Sequence, residues 1–305
     1  MPAYLTRRYV PVLLAAALAL PACGGDGGTA ATGPSGSDAP LTSSAPAPGL
    51  PSASPTPTVA ALDKTFWYAG FEVLLTQAEW LVRDGGASVG LTLSMQNLRD
   101  QKATLNQQDV SLTVGGNSVR SQLNDLPEVP GKAKNDGAVN FYVEGPFALD
   151  DATLTLGTPD SNQAIVPLGA AAPTTYEPKT ATVSGPLTTP TAKITLKPGV
   201  LDASAVRGER DKYVLRIPLD FTYRGKAAGG YYLAADQFTL ELGGGVAVPS
   251  APIVPFDLVA EAVAPGTTLS GRYLSFKTNE PGAGPFTLTF KDSAGGTAKA
   301  TVTLS

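Results

Sequence analysis

Histidine is absent from all 305 residues of this chain, and this absence limits most of the chemistry available to it. Histidine is the usual general base, the usual proton carrier and the commonest protein ligand of metal ions. Only one cysteine, Cys23, is present, so no disulfide within the chain and no thiolate metal cage can form. Sites of the Ser-His-Asp or Cys-His type are excluded as well, and no cofactor or metal is expected.

Carboxylates are the remaining side chains that could catalyse a reaction. A pair of them can cleave a glycosidic bond, and Asp150-Asp151 is the one adjacent acidic pair. It follows Pro146-Phe147 in a stretch typical of a turn, and neighbouring strand residues point to opposite faces. We therefore expect a solvated turn there. Gly115-Gly116 and Gly243-Gly244-Gly245 lie between strand patterns, which favours hairpin turns over phosphate-binding loops.

Two clusters of adjacent aromatic residues are candidates for a binding surface. Phe66-Trp67-Tyr68 and Tyr231-Tyr232 lie in strand-like stretches, where adjacent side chains cannot all face one core. At least one ring in each cluster should be exposed or lie at a domain junction. Trp67, Tyr68, Tyr231 and Tyr232 could therefore stack on sugars or anchor a protein partner. The alternative is that these rings fill the ends of β-sandwiches or the seam between domains.

The first 22 residues have the three parts of an export signal. A polar start with Arg7 and Arg8 precedes an apolar run over 10–20, which as a helix is too short to cross a hydrocarbon core of about 30 Å. Leu20, Pro21, Ala22 and Cys23 then resemble the lipobox of bacterial lipoproteins, although that family usually has a small or β-branched residue in place of Pro21. The resemblance implies cleavage before Cys23 and its acylation with palmitate-type chains, which would anchor the protein on the extracytoplasmic face of the cell membrane. The alternative is a secretory signal with an incidental cysteine.

Residues 23–60 have the composition of a disordered tether. The segment is rich in Gly, Ser, Pro and Thr and contains no aromatic residue, Lys or Arg. Such a stretch buries too little apolar area to offset the entropy of ordering it. The chain carries a net charge of −4 and no basic run beyond its start, so the electrostatic footprint of a nucleic-acid-binding protein is missing.

From Phe66 onward, apolar and polar residues alternate with the period of a β-strand. Val89, Leu91, Leu93 and Met95 show this pattern, as do the odd-numbered residues from Tyr213 to Tyr223. We predict an all-β protein with two tandem immunoglobulin-like antiparallel β-sandwiches after the disordered linker. The predicted boundaries are the signal peptide 1–22, the tether 23–60, a first sandwich 61–170, an interdomain linker 171–191 and a second sandwich 192–305.

The two halves share an ordered set of motifs that indicates a duplicated domain. Each half has an Asp-led strand ending in Gly-Gly, then a Pro-Gly pair ten residues before a phenylalanine, then Gly-Pro-Phe before another strand. The pattern resembles a family of extracellular immunoglobulin-like domains related to a secreted immunoprotective antigen. The resemblance implies a sandwich fold and assigns no catalytic residue. The matching residues of the first half are Asn97, Asp109, Pro130, Gly131, Gly137 and Phe141.

The sequence therefore predicts a membrane-anchored, non-enzymatic binding or interaction module at the cell envelope. Its expected partners are the membrane, through the lipid, and either a cell-wall polymer or an envelope protein. Two alternatives stay open: a structural or accessory subunit of another envelope complex, and a carboxylate-based hydrolase.

Overall fold

The computed structural model describes residues 55–106, 109–279 and 284–305. The regular secondary structure of this part is almost wholly antiparallel strand, and the predicted all-β class is confirmed. Helical structure in it is confined to short 3-10 turns such as Leu149–Asp151 and Ala235–Gln237. No helix of the described residues has the length and apolar character needed to cross a membrane. The signal peptide, Cys23 and most of the predicted tether lie outside the described residues.

An N-terminal sandwich occupies residues 58–168. One sheet has five strands in the order β1-β2-β3-β7-β6, the other has four in the order β5-β4-β8-β9, and both contribute to one buried core. Its strands are β1 (Thr58–Tyr68), β2 (Phe71–Arg83), β3 (Gly86–Asn97), β4 (Val110–Val114), β5 (Asn117–Arg120), β6 (Leu123–Asp125), β7 (Lys134–Glu144), β8 (Ala152–Leu156) and β9 (Ala164–Pro167).

A C-terminal sandwich follows over residues 179–305, with a second core of its own. Its strands are β10 (Lys179–Ser184), β11 (Leu187–Thr188), β12 (Ala192–Leu196), β13 (Gly199–Ala203), β14 (Tyr213–Tyr223), β15 (Tyr231–Ala234), β16 (Phe238–Glu241), β17 (Ala247–Pro249), β18 (Ala260–Val263), β19 (Thr268–Thr278), β20 (Phe286–Lys291) and β21 (Thr297–Leu304). The order is β11-β12-β14-β13-β10-β21-β20-β16-β17, with β19 also paired to β14 and a separate β15-β18 ribbon. Strand β10 joins the two layers, because its first residues pair with β13 and its last with β21.

The strand pairings repeat between the two sandwiches, as the sequence repeat predicts. The order β5-β4-β8-β9 in the first corresponds to β17-β16-β20-β21 in the second, and the pair β3-β7 corresponds to β14-β19. Pro130-Gly131 and Pro265-Gly266 lead into β7 and β19, which are both 11 residues long. Loop lengths differ between the halves, whereas the ladder order is kept.

The cores follow the predicted alternation. In β3, Val89, Leu91, Leu93 and Met95 are buried, and in β14 every odd-numbered residue from Leu215 to Tyr223 is buried. Gly115-Gly116 forms the predicted hairpin turn between β4 and β5, with positive φ at both residues, as a two-residue type I′ connection requires.

The predicted boundaries need correction at two places. Strand β1 begins at Thr58, so the tether does not extend to residue 60. The predicted linker 171–191 is not free chain: Thr174 bridges Ile165 of the N-terminal sandwich, and β10 and β11 belong to the C-terminal sheet. The Thr- and Pro-rich composition of this stretch suggested a linker, whereas its threonines are used for strand pairing and for side-chain hydrogen bonds.

Candidate functional site

A cleft of about 490 Å³ lies between the two sandwiches. The N-terminal sandwich contributes the tight turn Ala69-Gly70 between β1 and β2, the segment Leu98–Asp100 after β3, and Lys132. The C-terminal sandwich contributes the face of its β13-β14-β19 sheet that points away from its own core, together with Ile253 and Val254. The cleft therefore combines residues that are far apart in the chain, from Ala69 to Tyr273.

The alternation of β14 explains this wall. Because Leu215 and Ile217 point into the core, Val214, Arg216 and Pro218 between them face the cleft. Val200 lies opposite Arg216 on β13, and Tyr273 lies opposite Pro218 on β19. A sheet face that would be wet in an isolated sandwich is thus covered by the end of its neighbour.

The loop between β13 and β14 fixes the two sandwiches to one another. The side-chain amide of Asn162, in the N-terminal sandwich, donates to the carbonyls of Ser204 and Lys212 at 3.0 and 2.7 Å. Its oxygen accepts the N–H of Asp211 at 2.9 Å. Ala205 also packs against the N-terminal core. These contacts hold the walls of the cleft in position.

A chain of polar contacts crosses the cleft. The Asp257 carboxylate is buried and accepts the N–H groups of Ile253 and Val254 at 2.8 and 2.9 Å, which shapes that loop. Arg216 forms an ion pair with Asp257 at 3.0 Å and lies 4.3 Å from the centre of the Tyr273 ring. The Tyr273 hydroxyl donates to Asp100 of the other sandwich at 2.8 Å, and burial, with this neighbouring carboxylate, raises the pKa of Tyr273 to about 12.

Of the charged residues that line the cleft, Arg99 and Asp202 are the two that form no ion pair. The Arg99 guanidinium packs on Gly70 so closely that a Cβ there would lie 2.2 Å from its Nε. Burial lowers the pKa of Arg99. Burial also raises the pKa of Asp202 to about 6, although the Arg99 charge and the backbone N–H groups of Ala203 and Gly70 act to lower it. The Ala203 N–H donates to Asp202 Oδ1 at 2.7 Å.

Of the first aromatic cluster, Tyr68 is buried with the N-terminal core, and it lines a cavity together with Trp67. Trp67 is half-buried at the end of β1, where its backbone N–H donates to the Thr175 hydroxyl at 3.1 Å. It lines a second, smaller cavity of about 320 Å³ together with Tyr176 and Tyr213, whose rings lie 4.7 Å apart.

Of the second cluster, Tyr231 points into the C-terminal core and Tyr232 is 66% exposed. The Tyr231 ring packs on Phe221 and Tyr223, and its hydroxyl donates to Asp292 at 3.2 Å. Tyr231 therefore has a structural role, and Tyr232 is the one member of its pair that a partner could contact. The structure does not bring the four predicted residues into one surface, because Tyr68 and Tyr231 belong to different cores.

The remaining candidates from the sequence are the acidic pair Asp150-Asp151 and the lipobox. Asp150 and Asp151 are exposed in the Leu149–Asp151 turn, where the sequence predicts a solvated turn. Within the described ranges, no group of three or more acidic, histidine or cysteine side chains could hold a metal ion. The lipobox residues Leu20, Pro21, Ala22 and Cys23 lie outside the described residues.

Sequence reasoning missed the residues that line the cleft. One signal was present: β14 reads Val-Leu-Arg-Ile-Pro-Leu, with a single charge among apolar residues on the face predicted to be wet. A strand with apolar residues on both faces is typical of one that is covered on both sides. Strand β13 carries a similar signal, because the charged Asp202 directly follows the apolar pair Val200-Leu201.

Comparisons of this chain with protein-family models, with curated proteins and with solved structures find no match.

Proposed function

We propose that this protein is a lipid-anchored, extracytoplasmic binding module built from tandem immunoglobulin-like domains, and that its ligand site is the cleft between them. The observation that carries the proposal is the cleft itself. Ligand-binding cavities of proteins measure about 300–1,000 Å³ and combine apolar walls with a few converging polar groups. This cleft has a volume of 490 Å³, valine, isoleucine and proline walls, and converging Arg99, Asp202 and Arg216 side chains.

The binding part of the proposal is tested by filling the cleft. Val206 lines the cleft and is 45% exposed, so Val206→Trp adds bulk there without disturbing either core. We expect the purified full-length protein, incubated with a small-molecule and lipid extract of its own envelope, to retain a bound compound in native mass spectrometry. Val206→Trp should lose that compound. Val82→Trp is the matched control, because Val82 is also an exposed valine, at 55%, but lies on β2 and does not line the cleft.

A parallel incubation with a protein extract of the same envelope tests the second candidate, an accessory subunit of an envelope complex. That candidate is favoured by exposed apolar side chains at the β15-β18 ribbon, where Tyr232 on β15 is 66% exposed and Val259, directly before β18, is 63% exposed. An envelope protein retained by the native chain and by Val206→Trp, but lost from Tyr232→Ser, would support it. Absence of any bound compound from the native chain would overturn the cleft as the ligand site.

The anchor is tested separately at Cys23. The diacyl modification that the lipobox resemblance implies would hold the protein on the membrane, because two acyl chains bind far more firmly than one. We expect Cys23→Ala to move most of the protein from the membrane fraction to the soluble fraction. Ser43→Ala, a substitution of the same kind in the predicted tether, should leave it in the membrane. Retention of Cys23→Ala in the membrane fraction would disprove the lipid anchor.

A further inference from the structure

Among the cations that line the cleft, Arg99 differs from the others in having no acidic partner. Lys132 pairs with Asp100 at 3.5 Å, Lys197 with Asp220 at 3.0 Å and Arg216 with Asp257 at 3.0 Å. No carboxylate in the described part of the chain forms an ion pair with Arg99. Its guanidinium lies against the glycine turn at Gly70, and Arg99 lines the cleft wall with its planar fork of N–H donors.

The environment of Arg99 leaves its positive charge incompletely balanced. The group has lost much of its water, and Arg216 adds a second positive charge nearby. Two carboxylates oppose this charge: Asp257, which is paired with Arg216, and Asp202, which accepts a hydrogen bond from Ala203 and forms no ion pair with Arg99. A desolvated guanidinium without a bidentate acceptor is a costly arrangement, and an oxyanion on a bound molecule would relieve that cost.

Much of the rest of the cleft wall is apolar, and its other cations, Lys132, Lys197 and Arg216, are each paired with a carboxylate. Val200 and Val214 project from β13 and β14, Ile253 and Val254 cover them from the loop after β17, and Leu98 lies next to Arg99 itself. These side chains have no polar group with which to recognise a second charge. They would bury the hydrocarbon part of a ligand, which contributes roughly 25 cal/mol for each Å² removed from water.

We infer that the cleft takes an organic anion, whose carboxylate or phosphate is held by the Arg99 guanidinium and whose apolar body lies against the valine and isoleucine walls. This inference rests on the proposed function, since it specifies the ligand class of the same cleft. A free carboxylic acid and a phosphate monoester share the required chemistry, so both are used as probes. Asp202 weakens the binding of either anion, because its negative charge faces the same space.

The test measures calorimetric binding of four probes to the purified full-length protein at pH 7.5: hexanoate, hexyl phosphate, hexanol and hexylammonium. We expect at least one anion to bind, with hexanol roughly tenfold or more weaker and hexylammonium weaker still. Arg99→Met keeps an unbranched side chain at this position but removes the guanidinium, and it should reduce anion affinity about tenfold to a hundredfold, as expected for lost charge-assisted hydrogen bonds. Hexanol affinity should stay unchanged. Which anion binds more tightly identifies the acid or the phosphate as the better ligand.

Two further variants give effects that a merely structural role of Arg99 would not produce. Arg99→Lys should recover part of the preference for anions over hexanol, because the charge is retained. Asp202→Asn should raise anion affinity several-fold by removing the facing negative charge. Arg120→Met, an exposed arginine on β5 outside the cleft, is the matched control and should bind as the native chain does.

Failure of this inference can be told apart from failure of the proposed function. Equal binding of hexanol and the anions, unaffected by Arg99→Met but lost in Val206→Trp, would overturn the anion assignment and keep the cleft as the ligand site. If the native chain binds none of the four probes but retains an envelope compound, the anion assignment is likewise wrong and the cleft remains the ligand site. If neither the probes nor the envelope extract supplies a ligand, both are wrong.

Discussion

Asp292→Ala is expected to lower the free energy of unfolding by about 3–5 kcal/mol, since hydrogen bonds to a charged group each contribute about 1.5–3 kcal/mol. The Asp292 carboxylate is buried between β20 and β21, where it accepts hydrogen bonds from the Thr189 and Thr191 hydroxyls. It also accepts the Tyr231 hydroxyl at 3.2 Å and the Ala294 N–H at 2.8 Å. Removing the carboxylate leaves several buried donors without an acceptor, which is the costly outcome.

The pH dependence of this effect has a definite sign. Burial alone would raise the pKa of Asp292, but the hydrogen bonds from Thr189 and Thr191 outweigh it, and the pKa lies below the ordinary value of 3.8. Stability from Asp292 is therefore present above about pH 4 and is lost as the pH falls through the lowered pKa. Urea denaturation at pH 7 and pH 3 should show a smaller difference between native chain and Asp292→Asn at the lower pH.

Two variants serve as controls, one on the same network and one outside it. Tyr231→Phe removes a hydroxyl that also accepts hydrogen bonds from Gln237 and Ser293, and should cost about 1–2 kcal/mol. Tyr232→Ala changes an exposed ring and should stay within about 0.5 kcal/mol of the native chain. A loss for Asp292→Ala no larger than that of Tyr232→Ala would contradict the central role of this carboxylate.

The features that the sequence predicts well are those with a local period. Alternation in β3 and β14 identifies their buried faces, because a strand exposes every second side chain to the same side. The Gly-Gly turn between β4 and β5 follows from local backbone conformation. The repeated motifs likewise predict that the two halves share one strand order, as the pairings of β7 and β19 show.

The features that the sequence does not predict depend on contacts between residues that are far apart in the chain. Tyr231 and Tyr232 are the same residue type, but only Tyr231 is buried in the core. Its hydroxyl donates to Asp292, which lies 61 residues later in the chain. The cleft depends on Asn162 reaching the loop that carries Ser204. Composition predicts a linker over 171–191 in the same way as it predicts a tether over 23–60. That residues 179–184 instead form strand β10 depends on its pairing partners, which lie in β13 and at the end of the chain.

Asp202→Asn is expected to stabilise the protein at neutral pH, which is unusual for a substitution at a candidate site. Burial raises the pKa of Asp202 from 3.8 to about 6, despite the opposing influence of Arg99 and of two backbone N–H groups. A carboxyl whose pKa is raised on folding favours the folded state below its unfolded pKa, and that contribution is lost as pH rises through the folded value. The ionised group therefore opposes folding above about pH 6.

The expected gain for Asp202→Asn is roughly 2–3 kcal/mol at pH 7.5, from about 1.4 kcal/mol for each pKa unit. The gain should shrink between pH 6 and pH 4 and be absent below that. Chemical denaturation of both chains across this range measures it, with Asp150→Asn, an exposed aspartate outside the cleft, as the matched control. A gain that did not vary with pH would mean that the titration of Asp202 is not its cause.

The cost of an ionised Asp202 also bears on the role of the cleft. Proteins keep destabilising charges where binding requires them, so sites that bind ligands are commonly less stable than the sequence would allow. Arg216 is balanced by Asp257, whereas Arg99 and Asp202 face the same space as charges that are each only partly balanced. If Asp202→Asn gains stability and also gains anion affinity, both effects have one cause, the carboxylate that opposes a ligand on Arg99. Stability gained with anion affinity lost would instead make Asp202 a direct contact of the ligand.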